Sequence, residues 1–87
     1  MAIKKLWVVS SLPKRLQSRA RIANGILKER WRVGLNQGEL AVRARIKQSR
    51  ISEIENLRGN PTLSTLDAVA RVLGKQIVMV PRKSARR

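Results

Sequence analysis

The 87 residues suffice for one domain with one modest core; two independent cores would not fit. Twenty Lys and Arg against five Asp and Glu give a formal net charge of +15, so the chain calls for a polyanion: DNA, RNA, an anionic membrane or an acidic protein partner. Cys and His are both absent, which removes disulfides and zinc-finger chemistry, and no metal or cofactor is expected.

The hydrophobic share of 43% is too high for a fully disordered chain. Trp7 and Trp31 are the only aromatics, so the core must be aliphatic. A chain this small without disulfides gains little stability alone, which favours a dimer. No run of about 18 apolar residues exists to span a membrane. Met1 to Val9 lacks the long apolar stretch and small-residue cleavage site of a signal peptide, so none is expected.

Residues 1–21 read as a basic N-terminal extension. Within it Leu6, Trp7, Val8 and Val9 form a short apolar run with the composition of a strand. Ser10, Ser11 and Pro13 mark a turn and a helix start. Leu16, Ala20, Ala23, Leu27 and Trp31 recur at spacings of three and four, the apolar stripe of a helix. Asn24-Gly25 is a place where that helix could bend or restart, and Gly34 is a C-cap candidate.

Residues 22–74 read as a run of short helices. Asn36 suits an N-cap, with Glu39 placed for a capping box ahead of Leu40, Ala41 and Ala44. A second short helix has Ile51 and Ile54 facing inward. Arg58 to Pro61 is a loop, Thr62 caps a further helix, and its expected core face is Leu63, Leu66, Ala70 and Leu73, with Gly74 as its stop. Residues 75–81 read as a strand built on Ile77, Val78, Met79 and Val80, and residues 82–87 as a basic tail.

Two short helices joined by a tight turn in a basic domain suggest a helix-turn-helix. QGELAVRARIKQSRISEIEN, from Gln37 to Asn56, resembles that of the XRE family of phage repressor and Cro proteins. The preceding GLN at 34–36 and NPTLSTLDAVARVLG at 60–74 extend the resemblance. It implies a mainly α bundle of about five helices, followed here by the short C-terminal strand. In it Ala41 sits at a close helix crossing that only a small side chain fits, and Ile46, Ile51 and Ile54 fill the pocket between the helices. Arg45 departs from the glycine usual at the turn, at a cost of about 1 kcal/mol or more in the left-handed conformation.

The resemblance makes residues 22–74 the DNA-binding domain and places a recognition helix at about Gln48 to Glu55. Gln48, Ser49, Arg50 and Glu53 become candidates for base contact, through Gln to adenine, Arg to guanine and Glu to cytosine. Asn36 and Gln37 match positions that hold phosphate at a helix N-terminus, and Arg43, Lys47 and Arg58 are further phosphate candidates. Each has a plainer alternative: a solvated face for Arg43, Lys47 and Arg58, helix capping for Gln48 and Ser49, and repulsion of phosphate for Glu53. Glu55 matches a position that pairs with an arginine of the first helix, here Arg30.

After Gly74, KQIVMVPRK resembles the end of HipB-like antitoxins, whose strands pair across the dimer two-fold; pairing within the chain to Leu6–Val9 is the alternative. That resemblance implies an autorepressor on palindromic operator DNA that sequesters a HipA-like kinase toxin in the cytoplasm, at the nucleoid. A phage-type or chromosomal repressor without a toxin competes with it. An RNA-binding protein would be expected to carry more exposed aromatics for base stacking, and a basic amphipathic membrane helix at 13–32 would leave the helix-turn-helix pattern unexplained. Catalysis is not expected: His and Cys are absent and the few acids are scattered. The N-terminal extension is open to three roles: a DNA-contacting arm, a partner-binding segment, or added structure on the dimer.

Overall fold

The computed structural model describes residues 6–81. A 3-10 turn at Val9–Ser11 leads into four helices: α1 Lys14–Val33, α2 Gln37–Ala44, α3 Gln48–Glu55 and α4 Leu63–Val72. Helix α3 packs on α1 and α2, and α2 also packs on α4. The basic tail at 82–87 and the first five residues of the extension lie outside the described residues.

Four helices are found among the described residues where about five were expected. The cause lies at Asn24-Gly25, which does not break α1. Asn24 turns its carboxamide away from its own helix, onto the backbone of Trp7, so it does not compete with the helical hydrogen bonds. Gly25 is exposed and nothing stands within 4 Å of a Cβ placed there. Helix α1 therefore runs unbroken for 20 residues and carries the extension and the shared domain on one rod.

The expected strand at Ile77–Val80 is not formed, and no strand occurs among the described residues. A strand needs a partner's backbone. Within the chain the expected partner was Leu6–Val9, but the backbone N–H and C=O of Trp7 are both taken by the Asn24 carboxamide, at 2.7 and 2.9 Å. Ile77 instead lines an apolar groove with Ile22, Ile26, Ala70 and Leu73. Val78, Met79 and Val80 stay exposed.

The core is aliphatic: Ile26, Leu27, Leu40, Ile51, Ile54, Val69 and Leu73 are buried, and Ala20, Ala23, Ala41 and Ala44 fill the close approaches. One face differs from expectation. Leu63, in the first turn of α4, stays two-thirds exposed at 67%, and Val69 takes the buried place on that helix.

All four helices end the same way, on a residue in the left-handed region: Gly34, Arg45, Leu57 and Gly74. In each case the next N–H reaches back five residues, Leu35 to Arg30, Ile46 to Ala41, Arg58 to Glu53 and Lys75 to Ala70, so the last carbonyls are satisfied. Helices α1 and α4 use glycine for this. The two helices of the central pair, α2 and α3, use Arg45 (φ 61°) and Leu57 (φ 57°), each at a cost of about 1–2 kcal/mol.

Candidate nucleic-acid interface

Helix α2 begins with a complete capping box. The Asn36 side chain accepts from the Glu39 N–H at 2.8 Å, and the Glu39 carboxylate accepts from the Asn36 N–H at 2.8 Å. That leaves the N–H groups of Gln37 and Gly38 as the open donors of the first turn. The Gln37 side chain does not point outward to join them. Its carboxamide donates to Glu55 Oε1 at 2.9 Å.

Glu55 is fully buried. Arg30 grips it bidentately, Nε to Oε2 at 2.7 Å and Nη2 to Oε1 at 2.9 Å. The remaining Arg30 nitrogen, Nη1, donates to the Leu35 carbonyl at 3.1 Å. One carboxylate thus ties α1, α2 and α3 together at a single point, and a buried charge is tolerated because each of its partners is a donor.

The first turn of α3 is bare. Its N-cap is Lys47 and no side chain closes it; neither Gln48 nor Ser49 acts as a cap. Gln48, Ser49 and Arg50 are exposed side by side, with Arg43, Arg45 and Lys47 exposed on the adjoining turn. The Gln48 carboxamide lies across the start of α2, where a Cβ on Gly38 would stand 3.3 Å from its Oε1. Glu53 is half-buried. It faces Arg50 at 3.5 Å and lies over Gly59, where a Cβ would come within 2.7 Å of its carboxylate. Arg58 is exposed beside it, its carbonyl accepting from Arg19 Nη2 at 2.7 Å.

The structure therefore gathers Gln48, Ser49, Arg50, Glu53, Arg43, Lys47 and Arg58 around α3, and turns Asn36 and Gln37 to internal work at the start of α2. Sequence reasoning missed Gly38 and Gly59, each bare beneath a site side chain, and the exposed charge of Arg45. It also missed Trp7 and Asn24. The clue available was Trp7, one of only two aromatics, placed outside any helical stripe.

All five carboxylates are engaged within the chain. Glu29, held below its ordinary pKa range chiefly by its Arg32 hydrogen bond, also faces Lys75. Glu39 serves the capping box, Glu53 faces Arg50, Glu55 is buried against Arg30, and Asp67 meets Arg71. The cations around α3 other than Arg50 are left without acidic partners among the described residues, so positive potential concentrates where the bare first turn opens.

The family comparison fits this geometry. A family model described as Helix-turn-helix matches residues 26–79, more than half of the chain. The immunity repressor protein of Bacillus phage phi105 is 49% identical over 43 residues, which are 49% of this chain and 30% of that protein. The chain thus matches less than a third of that relative's length. No solved structure matches the chain. The chain belongs to the helix-turn-helix family, of the XRE type, and α2 and α3 are its helix-turn-helix pair.

Proposed function

We propose that this protein is a sequence-specific binder of double-stranded DNA that represses transcription as a homodimer on palindromic sites, without catalysing a reaction. The observation that carries the reading is the bare first turn of α3, with Gln48, Ser49 and Arg50 exposed beside cations that have no acidic partner among the described residues. In the major groove, Gln48 and Arg50 would read base edges and Ser49 would add a single hydrogen bond. Glu53, held between Arg50 and Gly59, would accept from cytosine or orient Arg50. Arg43, Lys47 and Arg58 would hold phosphates, joined by the open N–H groups of Gln37 and Gly38 behind the Asn36 cap.

Two copies would meet through Ile77, Val78, Met79 and Val80. Ile77 lines the apolar groove against α1 and α4, and the three residues after it are exposed. Covering such a run removes an aggregation hazard.

Two kinds of repressor fit this chemistry. The phi105 immunity repressor supports a phage-type repressor. The resemblance of residues 75–83 to HipB-like antitoxins supports an autorepressor that sequesters a HipA-like kinase. A kinase gene beside this one would favour the second, and its absence the first.

Selection from a random duplex pool tests the reading they share. The full chain is expected to enrich an inverted repeat whose half-sites lie about one helical turn apart. A pool that emerges with no common sequence would refute sequence-specific recognition.

A further inference from the structure

Helix α3 cannot hold its own geometry. It has eight residues, about two turns, and so short a helix is marginal in water. No side chain caps its start, no basic residue stands in its last turn, and it ends on Leu57 in the left-handed region. Its fixed placement must come from its neighbours.

At its C-terminal end the carbonyls have partners. Those of Ser52, Glu53 and Ile54 accept from the backbone N–H groups of Asn56, Arg58 and Leu57. The last carbonyl, of Glu55, instead accepts from the indole N–H of Trp7 at 2.8 Å, across 48 residues of sequence. Trp7 is held in turn by Asn24 of α1, whose carboxamide pairs with both its N–H and its C=O. A second tie lies one turn on, where Arg19 donates to the Arg58 carbonyl. Trp7, Arg19 and Asn24 all precede residue 26, where the match to the family model begins. The extension thus grips the back of α3 from outside the shared domain.

We propose that Trp7 is a positioning residue for DNA reading: latched by Asn24, it fixes the C-terminal end of α3 and so the angle at which Gln48, Ser49 and Arg50 meet the groove. This rests on the DNA-reading role proposed above. Trp7 needs no contact with DNA for it. Its carbonyl partner belongs to the residue whose side chain is locked by Arg30 and Gln37, so the indole braces the same point that joins α1, α2 and α3. A small rotation of a two-turn helix about that point displaces the side chains at its far end, and base readout is sensitive to such displacement.

The test uses the full chain with Trp7→Phe, which keeps a ring and loses the donor, and Asn24→Ala, whose carboxamide bonds to the Trp7 backbone and not to α3, so that its loss frees the latch. Amide exchange in the free protein is the first measurement. In both variants the amides of Asn56, Leu57 and Arg58 should exchange faster by about threefold or more, with those of α2 and α4 unchanged. The second is affinity for a duplex selected with the wild-type protein, against a scrambled duplex of equal length. The preference for the selected duplex should fall about five- to tenfold in both variants, while scrambled-duplex affinity holds within about twofold.

Unchanged exchange at α3 overturns the latch. Faster exchange with undiminished preference leaves the latch but overturns its part in reading. Equal loss on both duplexes overturns it also, since that is the signature of a general loss of fold. A wild-type chain that enriches no sequence overturns the DNA-reading role itself and Trp7's part with it, a result distinct from the other three.

Discussion

At the scale of single residues, the division of labour follows from what each side chain touches. Gln48 is exposed and rests on bare Gly38, so its truncation removes the proposed reading group and leaves the core untouched. Gln48→Ala should weaken binding to a preferred duplex by about 1–3 kcal/mol and leave binding to unrelated DNA nearly intact; titration of both duplexes checks this, and equal losses would count against base contact. Glu55 is the opposite kind of residue. It is buried with Arg30 and Gln37 around it, and Arg30→Ala would strand its charge. That substitution should cost about 3 kcal/mol or more of stability, read by urea denaturation, and a loss near zero would mean that water reaches the carboxylate. The identity of this pair was open to sequence through its resemblance to the family, whereas the turn of Gln37 toward the same carboxylate was not, because its partner stands 18 residues away.

At the scale of elements, the common helix ending exposes a choice. Glycine closes α1 and α4, while Arg45 and Leu57 close the reading pair in a conformation that disfavours them. Arg45→Gly should raise stability by up to about 1 kcal/mol, since relief of left-handed strain exceeds the entropy glycine loses. The same change removes an exposed cation beside Lys47, so DNA affinity should fall as thermal stability rises. Calorimetry and DNA titration on one variant measure both, and a drop in melting temperature would show that the Arg45 side chain contributes more than its strain costs. Capping patterns made these boundaries legible: Asn36 and Glu39 announce α2, and Thr62 announces α4. The unbroken path of α1 through Asn24-Gly25 was not legible, because the partner that occupies Asn24 lies 17 residues away.

At the scale of the molecule, charge and exposed apolar surface point to two different partners. The five carboxylates are spent inside the chain, and the net charge of +15 is left to face solvent or polyanion. Lys47→Ala should lower affinity for specific and nonspecific DNA alike and reduce the salt-dependence slope by about one unit; an unchanged slope would remove Lys47 from the phosphate contacts. At the other pole, Met79 is 99% exposed in an apolar run. Val78→Glu should shift the sedimenting species from dimer to monomer if that run joins two copies. A dimer that persists would place the contact elsewhere.

What the sequence by itself determined is what local chemistry and periodicity encode. The short helix pair, its capping box and the excess of cations are written in neighbouring residues, and the turn at Arg45 was legible through the resemblance to the XRE family. What only the tertiary structure decided depends on contacts far apart in sequence. The Trp7 indole meets the Glu55 carbonyl, the Asn24 carboxamide occupies the backbone that a strand would have needed, and Ile77 joins a groove between α1 and α4. The physical reason is that a hydrogen-bonding group takes whichever partner the fold brings near, and spacing along the chain does not name that partner.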